Sequence, residues 1–264
     1  MIIDFHTHCF PDALAQRALS GLSEKGGIPY LHGGTFAALK EYEGARGCDG
    51  FVILPVATNP KQAPAVNRFA AASQDKSRRV YAFGSVHPRQ QDFREEIRTI
   101  KELGLSGVKL HPEYQEFDAD DENIFPVYEE IFRHELPLIF HAGEDIGFTT
   151  PLRAAPDKIA RVAGRFPRGT IIAAHMGGYP HPAQAAERLP YPNVYADVSF
   201  VAGRAPREGF EEACRAWGYS RLLFGSDSPW HDPAAGIAAV NALPCSEAER
   251  ELIFYKNALK ILRV

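Results

Sequence analysis

Histidine and aspartate stand at chemically useful spacings in this chain. His6-Thr7-His8 puts two imidazoles two residues apart at the end of an apolar run. In an extended strand residues i and i+2 face the same side, so both rings point one way. Two neutral imidazoles so placed can hold one divalent ion. A lone His-x-His also occurs as a hydrogen-bonded core pair, so residues further along decide the matter. His141 offers a third nitrogen and Asp227 a carboxylate oxygen. Three nitrogens, one oxygen and an open position suit catalytic zinc, one ion per chain, and also accommodate manganese, iron or cobalt. His175, within Ala174-His175-Met176-Gly177-Gly178, reads as another ligand or as a free acid/base. The glycines after it would let a substrate approach the backbone. Asp227, in Phe224-Gly225-Ser226-Asp227-Ser228-Pro229-Trp230, reads as a ligand and a proton acceptor. The competing role is a helix N-cap or turn aspartate, which the following Ser-Pro also suits.

Lys109 interrupts an apolar strand, where an unpaired ammonium is costly. It reads as a cation for a substrate carboxylate, as half of an ion pair, or, least favoured, as a carbamylated bridge to a second metal. His111 shares its face and is expected to line the same pocket. Arg153, expected just inside the helix after His141, is a candidate contact for an anionic substrate. His87 precedes Pro88 and serves equally well as a strand terminator. His32, His134, His181 and His231 are expected in turns, loops or exposed helix.

These side chains need a frame. Eight short apolar runs alternate with longer amphipathic segments: Ile2 to Phe5, Phe51 to Leu54, Val80 to Phe83, Gly107 to Leu110, Leu138 to Phe140, Thr170 to Ala173, Val194 to Ala196 and Arg221 to Phe224. Near-continuous apolar runs suit parallel strands buried on both faces. Helices are expected over Asp92 to Leu103, Glu122 to His134 and Pro151 to Phe166, with a Ser246/Glu249 capping box opening the last one. Eight strands alternating with helices predict an α/β fold, a (β/α)8 TIM barrel forming one domain over residues 1–264. A doubly wound sheet is disfavoured because no glycine-rich dinucleotide turn follows the first run. Strand ends at or near His6/His8, His87, His111, His141, His175, Asp197 and Asp227 fall on the face where such barrels carry out chemistry.

Composition narrows the classes. The chain has 264 residues, 45% hydrophobic and 23% charged, with net charge −4. No basic footprint suggests nucleic acid or an anionic membrane surface, and no apolar run reaches the roughly 18–20 residues that cross a bilayer. The N-terminus lacks a basic n-region and an h-region, so no removable signal is expected. Cys9, Cys48, Cys214 and Cys245 form no CxxC pair and read as reduced thiols of a cytoplasmic protein. The expected partner is a small-molecule substrate. Residues 10–34, 114–121 and 177–192 are expected to set its identity, and Gly26-Gly27 and Gly33-Gly34 suggest a first loop that moves as a lid.

Taken in order, six pieces carry a resemblance: Asp4-Phe5-His6-Thr7-His8-Cys9-Phe10-Pro11-Asp12, Gly107-Val108-Lys109-Leu110-His111-Pro112, Ile139-Phe140-His141-Ala142-Gly143, Ala174-His175-Met176-Gly177-Gly178, Phe224-Gly225-Ser226-Asp227-Ser228-Pro229 and Lys256-Asn257-Ala258. The chain resembles the amidohydrolase superfamily. Within it, the similarity is to the branch related to aminocarboxymuconate semialdehyde decarboxylase, often labelled amidohydrolase family 2. The resemblance implies a distorted (β/α)8 barrel with one metal on His6, His8, His141 and Asp227, and His175 acting beside it. Relatives of this type often pair, which implies a homodimer. The branch contains decarboxylases as well as lactonases and other hydrolases. Hydrolysis of a lactone, amide or related carboxylate is the first expectation, with metal-activated water attacking a carbonyl and Asp227 or His175 taking the proton. Decarboxylation of an unsaturated or aromatic acid is its alternative. A metal-dependent nuclease or phosphoesterase would want a bridging glutamate where Lys109 stands and a more basic surface. A metal-stabilised binding protein would have no spare acid or base beside its ion.

Overall fold

The apolar runs become the wall of one closed barrel. In a computed structural model, which describes residues 1–148 and 152–264, the strands are β1 (Ile3–Thr7), β2 (Gly50–Ile53), β3 (Val80–Ala82), β4 (Gly84–Ser85), β5 (Val108–Leu110), β6 (Leu138–Phe140), β7 (Ile171–Ala173), β8 (Val194–Asp197) and β9 (Leu222–Leu223). All paired strands are parallel, in the orders β1-β2-β3 and β4-β5-β6-β7-β8-β9. β3 and β4 are one barrel strand interrupted at Phe83. The Phe83 N–H donates to the Ile53 carbonyl at 3.0 Å and the Gly84 N–H to the Gly107 carbonyl at 2.8 Å, so successive residues pass the wall from one neighbour to the next. The ring closes where the Phe5 N–H meets the Phe224 carbonyl (2.8 Å) and the Asp227 N–H meets the His6 carbonyl (2.9 Å). The expected eight-stranded barrel is therefore formed.

Both faces of the wall are apolar, which explains why the runs lack alternation. Ile3, Phe5, Val52, Leu54, Phe83 and Ile139 pack in one cluster, joined by Ala258, Ile261 and Leu262 of the last helix. Phe51, Ile53, Val108, Leu110 and Phe140 pack in the other, with the surrounding helices. Lys109 breaks this rule, at 1% exposure.

Three helices depart from the expected bounds. The segment from Glu122 opens as a 3-10 turn (Glu122–Ile124) and becomes α-helix only over Phe125–Arg133, because Pro126 lacks an N–H for the preceding turn. The helix expected from Pro151 spans Pro156–Arg165; its expected start lies outside the described residues. The last helix keeps its Ser246/Glu249 capping box but carries a π-helical turn at Leu252–Lys256. There Asn257 donates to the carbonyls of Tyr219 (2.9 Å) and Leu222 (2.7 Å), tying the helix to β9. Within residues 10–34, the expected mobile loop contains the helix Asp12–Gly26.

Candidate functional site

Strand ends and the segments after them enclose a cavity of about 510 Å3, within the usual range for small-molecule sites. His6, His8, His141, His175 and Asp227 line it, and so do Lys109 and His111. Arg153 is not brought there, which corrects its expected role. Its N–H donates to Glu113 (3.1 Å) and its guanidinium lies 4.0 Å from Asp118. His87 is also outside the lining, its Nδ1 accepting the Arg89 N–H at 3.2 Å.

Local geometry explains how the rings are aimed. A register shift in the β1–β2 pairing between Asp4 and Thr7 re-aims the end of β1, so that His6 and His8 enter the cavity although Phe5 also packs inside. His175 and Asp227 sit at φ 56° and 74°, in the left-handed region. Non-glycine residues there are uncommon and are held only by well-determined surroundings. Gly177, expected to give a substrate room, instead makes room for packing. A Cβ there would meet the Trp217 ring at 2.9 Å.

Hydrogen-bond partners assign the protons. His6 Nδ1 donates to Asp197 Oδ2 at 2.9 Å, and His8 Nδ1 donates to the Leu54 carbonyl at 2.9 Å. Each therefore turns the lone pair of Nε2 toward Asp227 Oδ1, at 3.4 Å from His6 and 3.1 Å from His8. His175 Nδ1 lies 3.3 Å from the Ser199 carbonyl and 2.9 Å from its hydroxyl. Its Nε2, 3.1 Å from His141 Nδ1, then accepts a hydrogen bond from the N–H of that ring. This leaves His141 Nε2 with a lone pair, buried and without a hydrogen-bond partner. Three imidazoles thus carry free Nε2 electrons beside a carboxylate, a donor set that fits a divalent cation better than it fits an empty site.

By distance alone the grouping differs. The donor atoms of His6, His175 and Asp227 lie within 4.8 Å of one another, and those of His111, His141 and Asp145 form a second such group. The His141–His175 contact joins the two, and His111 Nε2 is 3.2 Å from Asp145. The charge states suit a cation. Burial lowers His6 to about 4 against the pull of Asp197, and holds His111 and His141 well below the usual histidine range. Burial would raise Asp227, but the His8 hydrogen bond and the nearby His6 and His175 rings outweigh it and bring the carboxyl to about 2. At neutral pH these rings are uncharged and the carboxylate is ionised.

Asp197, Ser199 and Asp145 went unassigned in the sequence. Asp197 stood out as a strand end, but nothing local shows that it reaches His6. It is fully buried and accepts the His6 ring, the His175 N–H (3.1 Å) and the Ser199 N–H (3.1 Å). Partners of this kind fix ring orientation, and losing one typically costs about 10–100-fold in metal affinity. Asp197→Asn is expected to weaken metal binding by roughly that factor, measured by chelator competition. Unchanged affinity would show that His6 needs no such anchor.

Residues 3–264 match the family model described as amidohydrolase. No curated protein sequence matches significantly. Solved structures similar to this chain include an uncharacterised TIM-barrel protein from Bordetella bronchiseptica (TM-score 0.79, 21% identity, 99% of this chain and 98% of that one). Another is 2,6-dihydroxybenzoate decarboxylase from Rhizobium (TM-score 0.73, 17% identity, 99% and 98%). A third is 5-carboxyvanillate decarboxylase from Novosphingobium aromaticivorans with manganese and 4-hydroxy-3-methoxy-5-nitrobenzoic acid (TM-score 0.71, 17% identity, 100% and 96%).

Proposed function

The chain belongs to the amidohydrolase family, and from that premise we propose that it is a metal-dependent carboxy-lyase acting on an aromatic or unsaturated carboxylic acid. The observation that carries this reading is the mixed lining of the cavity. Leu14, Leu22, Ile28, Phe69 and Tyr114 give it apolar surface, and Lys109, the histidines and Asp227 give it polar and charged groups. Such a lining suits an apolar body that carries anionic groups. Decarboxylation disperses the charge of a carboxylate, and expulsion of water by apolar walls favours that change. Both decarboxylases described above share this fold, and one of them holds manganese. Together these favour the alternative over hydrolysis.

His6, His8, His141 and Asp227 would hold the ion, with manganese and zinc as the first candidates. A divalent ion held there would supply Lewis-acid chemistry to the substrate's oxygens. The Lys109 ammonium is buried and has no hydrogen-bond partner. Burial lowers it to about 8 against the pull of Asp197 and Asp227, so it stays mostly charged at pH 7. It would bind a group that keeps its charge throughout, such as a phenolate or second carboxylate. When the C–C bond breaks and carbon dioxide leaves, the electron pair remaining on carbon takes up a proton. His175 would deliver that proton through Nε2, which carries a lone pair in the resting site and first takes the proton up from solvent, because Asp227 is held ionised.

The metal-loaded protein should release carbon dioxide from some member of a panel of hydroxybenzoates and unsaturated dicarboxylates. In deuterated water the product should carry deuterium at the vacated carbon. Turnover of lactones or amides with no carbon dioxide released would sink the proposal. Lys109→Met removes an anion partner worth about 1.5–3 kcal/mol, so KM should rise roughly ten- to hundredfold. Thermal stability should hold or increase, since a buried unpaired charge is replaced by an apolar chain of similar length. An unchanged KM would remove Lys109 from substrate binding.

A further inference from the structure

We propose that Asp4, Glu43 and Cys48 form a second divalent-cation site, outside the barrel mouth, for an ion of zinc-like borderline softness. Asp4 follows Ile3 and precedes Phe5 on β1. Since those two side chains pack inside the barrel, Asp4 points to the outer side of the wall. There it meets Glu43, in the last turn of the helix Phe36–Ala45, and Cys48 in the connection to β2. One donor atom from each of the three lies within 4.8 Å of the others.

The carboxylates call for a cation. Asp4 and Glu43 are both 0% exposed. Asp4 Oδ1 accepts the N–H groups of His6 (2.9 Å) and Ser226 (3.0 Å), but Oδ2 has no partner, and neither does either oxygen of Glu43. Three orphaned carboxylate oxygens in one buried place are a large desolvation cost unless protons or a cation neutralise them, and only a cation would also recruit the Cys48 sulfur beside them. Two carboxylates and a thiolate supply hard and soft donors, a mixture that suits zinc better than calcium or magnesium. Cys48 is only partly buried and gives the site an edge at the surface. An ion here would tie β1, the helix and its connection together. It would act directly behind the metal-binding strand ends, because Asp4 carries the His6 N–H and the Asp227 N–H donates to the His6 carbonyl at 2.9 Å.

The test is reconstitution of the full-length, metal-stripped protein with cobalt under anaerobic conditions. The expected result is two equivalents per chain, with a thiolate-to-cobalt charge-transfer band in the near ultraviolet. Cys48→Ser should lose the band and one equivalent. The His6→Ala, His8→Ala double variant should keep the band and lose the other equivalent, which separates this site from the one in the mouth. Fewer than two equivalents in the wild type with no such band overturns the proposal. So does a band that survives Cys48→Ser, since Cys9 also lines the mouth. If the variants fail to fold, the wild type still decides. Peptide-mapped alkylation of Cys48 should be suppressed by zinc and restored by chelator, and labelling indifferent to zinc overturns the site.

Discussion

The His6→Ala, His8→Ala double variant is expected to lose the metal ion of the barrel mouth and, with it, all measurable turnover. Each ring has its Nδ1 proton committed, to Asp197 in one case and the Leu54 carbonyl in the other, so each offers only Nε2 to the cavity. Removing both takes two of the four proposed donors and leaves Asp227 and His141, too few for a tetrahedral site. The loss should read as the absence of one equivalent by elemental analysis after dialysis. Some stability will go as well, because Asp197 stays buried without its imidazole partner, a change of about 1.5–3 kcal/mol. Circular dichroism and a melting curve separate that effect from unfolding. Full occupancy of the mouth in this variant would end the assignment of the pair as ligands.

His175→Asn should give the opposite pattern: metal retained, turnover lost. The asparagine amide nitrogen can take the place of Nδ1 and keep the contact with Ser199, while nothing replaces Nε2. Asparagine also tolerates the left-handed backbone found at this position (φ 56°), so the fold should survive. A general acid missing from the proton-transfer step typically lowers kcat by about 10²–10⁴-fold. KM should change far less, since binding groups are untouched. If metal content falls in parallel with kcat, His175 is a ligand. The distance grouping with His6 and Asp227 would then describe the loaded site better than the proton assignment does.

The two variants settle a question the residues left open. Of the five residues, four are proposed ligands and His175 the acid/base, and the contact between His141 Nδ1 and His175 Nε2 at 3.1 Å shows why that division is delicate. One proton between the rings determines which nitrogen is free. With the proton on His141 Nδ1, the free lone pair is that of His141 Nε2, the arrangement a ligand role for His141 requires.

The frame was legible in the sequence for a plain reason. A parallel strand buried on both faces must be apolar along its length, so polar residues at strand ends stand out at once. His6, His8, Lys109, His111, His141, His175 and Asp227 were identifiable this way, and all seven line one cavity. The capping box at Ser246 was equally readable, because it is built from residues three apart. What the sequence could not supply is pairing at a distance. Asp197 holds a ring 191 residues away, and nothing in local periodicity encodes that meeting. Nor does spacing tell that Arg153 turns toward Asp118 while Asp145 turns toward His111. Asp4 stood inside the His6-Thr7-His8 motif region, yet its outward face and its unpartnered oxygen emerge only when the helix Phe36–Ala45 packs against β1. Sequence determines which groups a strand end offers; the closing of the barrel decides which of them meet.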